Sequence, residues 1–144
     1  MFELIVILFM IAVVAKVAIP RYSGVISRYR LTNSANQIVT DLNNARNQAL
    51  ATSANVTMTF TVATQSYTIA NMPGLDSHSA VYAVSLANYP FKISGLGASF
   101  GGGGTTLIFD GYGMPSNPGT ITVIAGGSMK TITVEATSGK VTVQ

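Results

Sequence analysis

FELIVILFMIAVVAKVAIPRY, residues 2–22, is the stretch on which the reading of the whole chain turns. From Leu4 to Ala15 it carries no charge; Lys16 interrupts the run once, and Val17, Ala18 and Ile19 follow before Pro20. Nineteen helical residues rise roughly 28 Å, about the thickness of a bilayer's hydrocarbon core, so residues 1–19 are expected to form a transmembrane or filament-core helix. A secretory signal would place basic residues first, then a shorter apolar core and a small-residue cleavage site. Here an acid, Glu3, precedes the core and Pro-Arg-Tyr follows it.

Downstream of this stretch, Pro20 cannot continue the hydrogen-bond ladder and Gly24 adds backbone freedom, so residues 20–24 are expected to kink or melt a longer helix. Helicity then resumes. Leu31, Ala35, Ile38, Leu42, Ala45 and Ala49 recur at alternating spacings of four and three, one continuous stripe, with Thr32, Asn33, Gln37, Asn43, Asn44 and Gln48 off it. Residues 20–52 therefore read as an amphipathic helix whose apolar stripe packs on a sheet, with small alanines allowing close approach.

After Thr52 the period changes from 3.6 to 2. NVTMTFTV, SYTIA, AVYAVSL, TTLIF, GTITVIA, MKTITVEA and KVTVQ alternate Thr or Ser with apolar residues, the pattern of half-buried strands. Turn signals separate them at Asn71-Met72-Pro73-Gly74, Gly101 to Gly104, Asp110-Gly111, Asn117-Pro118-Gly119, Gly126-Gly127 and Ser138-Gly139. Residues 72–104 hold Pro90 and several glycines without a strong period, and a long excursion with short edge strands is expected there. No linker or solenoid repeat interrupts the chain. The expected class is α+β: a long helix, apolar then amphipathic, packed on an antiparallel β-rich head of residues 53–144.

Composition narrows the function. The 144 residues hold only 8 Lys+Arg and 5 Asp+Glu, a net charge of +3, and the head relies on Thr, Ser, Asn and Gly for solubility. Arg21, Arg28, Arg30 and Arg46 supply much of the positive charge from the helix, which does not describe a nucleic-acid surface on the head. There is no cysteine, hence no disulfide, thiolate metal site or thiol nucleophile. The single histidine, His78, stands in the loop-like Asp76-Ser77-His78-Ser79 without the partners that metal binding or catalysis needs. Gly101 to Gly104 lack the Gly-Lys-Ser/Thr that completes a phosphate loop. No catalytic residue, metal or cofactor is expected. Asn55-Val56-Thr57 is a glycosylation sequon inside an expected strand, which makes Asn55 a candidate acceptor.

The N-terminal stretch resembles the mature segment of bacterial type IV pilins and of type II secretion pseudopilins, which carry a glutamate near the start, an apolar run, and Ile-Pro before an amphipathic half-helix. Counted from Pro20, Glu3 falls on that glutamate, and Met1 falls two positions after the family's mature start, usually a methylated phenylalanine. The resemblance implies that Glu3 meets the N-terminal amine of a neighbouring subunit during assembly; a carboxylate among apolar helices is costly unless paired. Lys16 departs from the family's apolar pattern. Its ammonium either snorkels to the membrane interface or pairs with Glu3 of an axially shifted neighbour. ANQIVTDLNNARNQALATSANVTMTF and ITVEATSGKVTVQ resemble the H-type pseudopilin and FimT-like subgroup, whose Ala-Arg-x-x-Ala helix leads into a first strand and whose last strand follows Gly-Lys/Arg-Val.

Two functions follow as expectations. In the first, the chain is a structural, non-enzymatic subunit of an extracellular type IV pilus-like filament, a homo-oligomer held in the bacterial inner membrane before assembly machinery extracts it. In the second, it is a minor pilin or secretion pseudopilin that primes assembly, with DNA binding if Lys130 and Lys140 share a hairpin face. A nucleic-acid partner is otherwise not expected.

Overall fold

The computed structural model describes residues 2–72 and 81–144, with the side chains of these except Ala15 and 17–22. One helix, α1, runs from Phe2 to Thr52, roughly 76 Å at 1.5 Å per residue. It passes through Pro20 and Gly24 with helical backbone throughout, so the melting expected of residues 20–24 does not occur. A proline removes one intrahelical hydrogen bond and crowds the preceding turn, and the turns on either side suffice to carry the helix across. The helix ends where Ser53 turns into the left-handed region (φ 51°). There the Ala54 N–H donates to the Ala49 carbonyl (3.3 Å) and closes the last turn.

Eight strands follow: β1 (Val56–Thr61), β2 (Ser66–Ala70), β3 (Val81–Ser85), β4 (Gly95–Phe100), β5 (Thr106–Phe109), β6 (Gly119–Ala125), β7 (Ser128–Val134) and β8 (Val141–Val143). They form two four-stranded sheets, ordered β3-β2-β1-β5 and β4-β6-β7-β8. Every pairing is antiparallel. The distal half of α1 packs on β1 and β5 of the first sheet and on β6, β7 and β8 of the second. All six residues of the helical stripe, Leu31 to Ala49, are buried. They meet the inward set of alternate strand residues: Val56, Met58 and Phe60 of β1, Ile121 and Val123 of β6, Ile132 and Val134 of β7. Phe60 spans the two sheets, its ring 5.5 Å from Tyr67 and 5.7 Å from Phe100.

Strand β4 is the element without a periodic signal. GLGASF lies in the stretch expected to hold short edge strands, and it is an edge of the second sheet, paired along its whole length with β6, Gly95 opposite Ile124 and Phe100 opposite Gly119. Glycine serves that pairing: a Cβ on Gly95 would stand 3.3 Å from Ile124 Cδ1. Leu96 and Phe100 point inward and are buried, so a preformed neighbour recruits a segment that has little strand preference of its own.

Candidate assembly interface

Among the described residues, nothing covers the proximal half of α1. From Phe2 (85% exposed) to Val14 every described side chain is exposed, and the least exposed large apolar residue, Val13, is still at 49%. A helix apolar around its whole circumference is stable only when surrounded by lipid or by other helices. Among the described residues no helix is long and apolar enough to cross a membrane. The described charge-free run, Leu4 to Val14, is eleven residues, against the roughly 20 that a bilayer requires.

Glu3 and Lys16 are both exposed on this half. Thirteen residues separate them, roughly 20 Å along the axis and about 140° around it, so the two charges of one chain cannot meet. Only a second helix, displaced by about that distance, brings a lysine beside a glutamate.

The head is locked to the helix by buried polar contacts as well as by the apolar stripe. Asp41, 3% exposed, accepts a 2.5 Å hydrogen bond from the Tyr67 hydroxyl of β2 and a 3.1 Å bond from Gln37 Nε2 one turn back. Gln37 also reaches the Tyr82 hydroxyl of β3, at 3.5 Å. Burial, reinforced by the facing negative charge of Asp41 and the hydrogen bond to it, pushes the Tyr67 phenol far above its ordinary value. Tyr82 is raised for the same causes, burial first. Arg46, the arginine of the Ala-Arg-x-x-Ala pattern, donates from Nε to the Gly113 carbonyl (3.1 Å) and so ties the helix to the loop after β5. Apart from the Gln37–Asp41 pair on the helix, none of these partners is near in sequence. In the sequence, the one signal for Asp41 is an acid standing next to Leu42 of the apolar stripe.

The remaining candidates fall in different places. Asn55 is exposed and stands immediately before β1 rather than inside a strand; its carbonyl accepts from Asn71 Nδ2 (3.0 Å). His78 lies outside the described residues. Lys130 and Lys140 do not share a hairpin face. Lys130 is two residues before inward-facing Ile132, whereas the Lys140 carbonyl accepts from Glu135 N–H (3.0 Å), one step beyond the inward pair Val134 and Val141. Alternation therefore puts the two lysines on opposite faces, and the hairpin separates them by roughly 17 Å.

A bare apolar half-helix whose distal half is wrapped by two antiparallel sheets defines a pilin-like protein. The family model described as type II transport protein GspH matches residues 34–139, and the chain belongs to that family. That match begins beyond the N-terminal stretch, so it rests on the head and the amphipathic half-helix alone. Among solved structures, the type IV minor pilin FimU of Pseudomonas aeruginosa strain PAO1 is similar, with a TM-score of 0.61 and 14% identity. The likeness covers 81% of this chain and 90% of that one, and at such identity it is a likeness of fold. No curated protein matches the chain.

Proposed function

We propose that the chain is a non-enzymatic structural subunit of an extracellular type IV pilus-like filament, assembled through its N-terminal helix. The uncovered apolar surface of Phe2 to Val14 carries this reading, because no described residue of the head covers it. Before assembly the helix sits in the bacterial inner membrane; after it, the same surface packs against other copies. Lipid tails and apolar helices are similar surroundings for such side chains, so the transfer gains little free energy and is driven by the pilus or secretion machinery. Glu3 pairs with the amine terminus or with Lys16 of a neighbour, and Pro20 and Gly24 are where the helix bends when neighbours crowd it. Neutral Thr, Ser and Asn surfaces face the medium, with Asn55 accessible to a glycan.

Membership of the GspH family favours a second reading, a minor pilin or pseudopilin that primes assembly. Its DNA-binding form gains no support from Lys130 and Lys140, which face apart. Electron microscopy with mass spectrometry on fibres sheared from native cells separates the two. As the main component of regular filaments the chain is a major subunit; at trace level beside another pilin it is a priming subunit; absence from every fibre overturns both.

A further inference from the structure

The charges of the head are segregated along α1. At the distal pole Gly139 abuts Arg46, and the loop of Asp110 and Gly113 is tied to the same arginine. Glu135 receives the Gly139 N–H, so Asp110, Glu135, Arg46 and Lys140 all belong to that end. The proximal pole is set by the β6–β7 turn, where Gly126 packs against the Ser27 side chain. The poles are separated by the rise from residue 27 to 46, roughly 28 Å.

The proximal pole is cationic. Arg28 and Arg30 flank the contact on the helix, Lys130 follows the turn, and Lys92 is two residues from Ser94, whose N–H donates to the Ile124 carbonyl (2.8 Å). Each described side-chain carboxylate is elsewhere: Glu3 at the far end of the helix, Asp41 buried under Tyr67, Asp110 and Glu135 at the distal pole. Exposed apolar and aromatic side chains accompany these cations: Val25 and Tyr29 on the helix, Ile124 opposite Met129 (63% exposed) beside the turn. The outer face of the same sheet differs away from this end. There Thr120 pairs with Thr133 and Thr122 with Thr131, with no charge.

We infer that this pole is a lipid-docking surface: the β6–β7 turn with Ile124, Met129 and Lys130, beside Arg28, Tyr29 and Arg30, rests on anionic headgroups. The inference depends on the membrane-held state proposed above. The distances agree with it. Ser27 is eight residues beyond Ile19, roughly 12 Å, and the headgroup layer fills roughly 5–7 Å of that. The remaining gap is shorter than the Debye length of about 8 Å at physiological salt. Arginine and lysine then feel the anionic surface, while tyrosine and methionine enter the interface, the usual station of amphipathic side chains.

The test uses the full chain, which has no cysteine, carrying Met129→Cys labelled with a polarity-sensitive fluorophore. It is reconstituted in vesicles of phosphatidylcholine alone and of phosphatidylcholine with phosphatidylglycerol, and retention is read by flotation. The expected result is flotation with both lipids and a blue-shifted emission only with phosphatidylglycerol. The shift should vanish as salt rises from about 0.1 M to about 1 M, where screening shortens to about 3 Å. Neutralising Arg28, Arg30 and Lys130 to Gln should lower the docked-to-free ratio about fivefold per charge, roughly a hundredfold together, with flotation unchanged. Flotation with identical emission in both lipids overturns the docking surface and leaves the membrane-held state standing. A shift seen equally in neutral vesicles, growing with protein-to-lipid ratio, assigns the pole to contact between copies and also overturns it. Failure to float overturns the membrane-held state and the docking surface with it.

Discussion

Asp41 is a buried polar residue that ties the head to the helix. Its carboxylate is buried between one donor on its own helix and one on β2, and a charged acceptor with short hydrogen bonds forms the stronger kind of polar contact. Replacing Tyr67 with Phe leaves that carboxylate short of a donor, so the head should lose about 1–3 kcal/mol, measured by chemical denaturation. The same pair sets a pH limit. Unfolded, Tyr67 ionises near 10, whereas folded it keeps its proton well beyond that. Its contribution is therefore complete below about pH 10 and declines above it, by up to about 1.4 kcal/mol per pH unit. Denaturant midpoints followed from pH 8 to pH 11 should fall only at the alkaline end, and Tyr67→Phe should flatten that fall. Asn117 plays a comparable part at the junction of the two sheets. Its side chain accepts from Ile108 N–H (3.2 Å) and donates to the Thr106 carbonyl (2.6 Å), both in β5. Asn117→Ala should cost about 1–3 kcal/mol, since two strand groups lose their partner.

At the scale of elements, the helical stripe and the strand alternation needed only local spacing to be found. Leu31 to Ala49 and the inward residues of β1, β6 and β7 all lie where their periods place them. Leu42→Ala, at a fully buried position, should destabilise the head by about 2–5 kcal/mol, read as a shift in thermal midpoint. The Gly126-Gly127 hairpin also follows from its dipeptide. Both residues have positive φ, 56° and 77°, as a two-residue turn with right-handed strand twist demands. The two glycines are not equivalent, because a Cβ on Gly127 meets open space whereas one on Gly126 would enter the Ser27 side chain. Gly127→Ala should cost about 1–2 kcal/mol from backbone strain alone, and Gly126→Ala clearly more, in the same denaturation assay. Strand β4 escaped local reading because Gly-Leu-Gly-Ala-Ser-Phe has weak strand preference, and its pairing with β6 supplies the missing order.

For the whole molecule, the separation of Glu3 from Lys16 makes any pairing between them intermolecular. Filaments of Lys16→Met or of Glu3→Leu should therefore melt below wild type, and the double variant should recover much of the loss, because removing both charges abolishes the buried cost that either alone would leave. Equal melting of Lys16→Met and wild-type filaments would show that the ammonium reaches water instead. Residues 2–22 and the two periods that follow were enough, by themselves, to establish the long helix, seven of the strands, the α+β class and the pilin-like resemblance. These are one-dimensional properties: which side chains are apolar, and at what spacing, is written along the chain. The tertiary structure alone decided that helical backbone crosses Pro20 without melting, that β4 joins the second sheet, that Asp41 is buried by a tyrosine 26 residues away, and that Lys130 and Lys140 face apart. It also decided that Asp110 and Glu135 share the distal pole with Arg46 and Lys140, while Arg28, Arg30 and Lys130 stand at the proximal pole away from every described side-chain carboxylate of the head. Register and helix-to-sheet contact come from packing between distant segments, where a shift of one residue would turn every side chain of a strand to the other face.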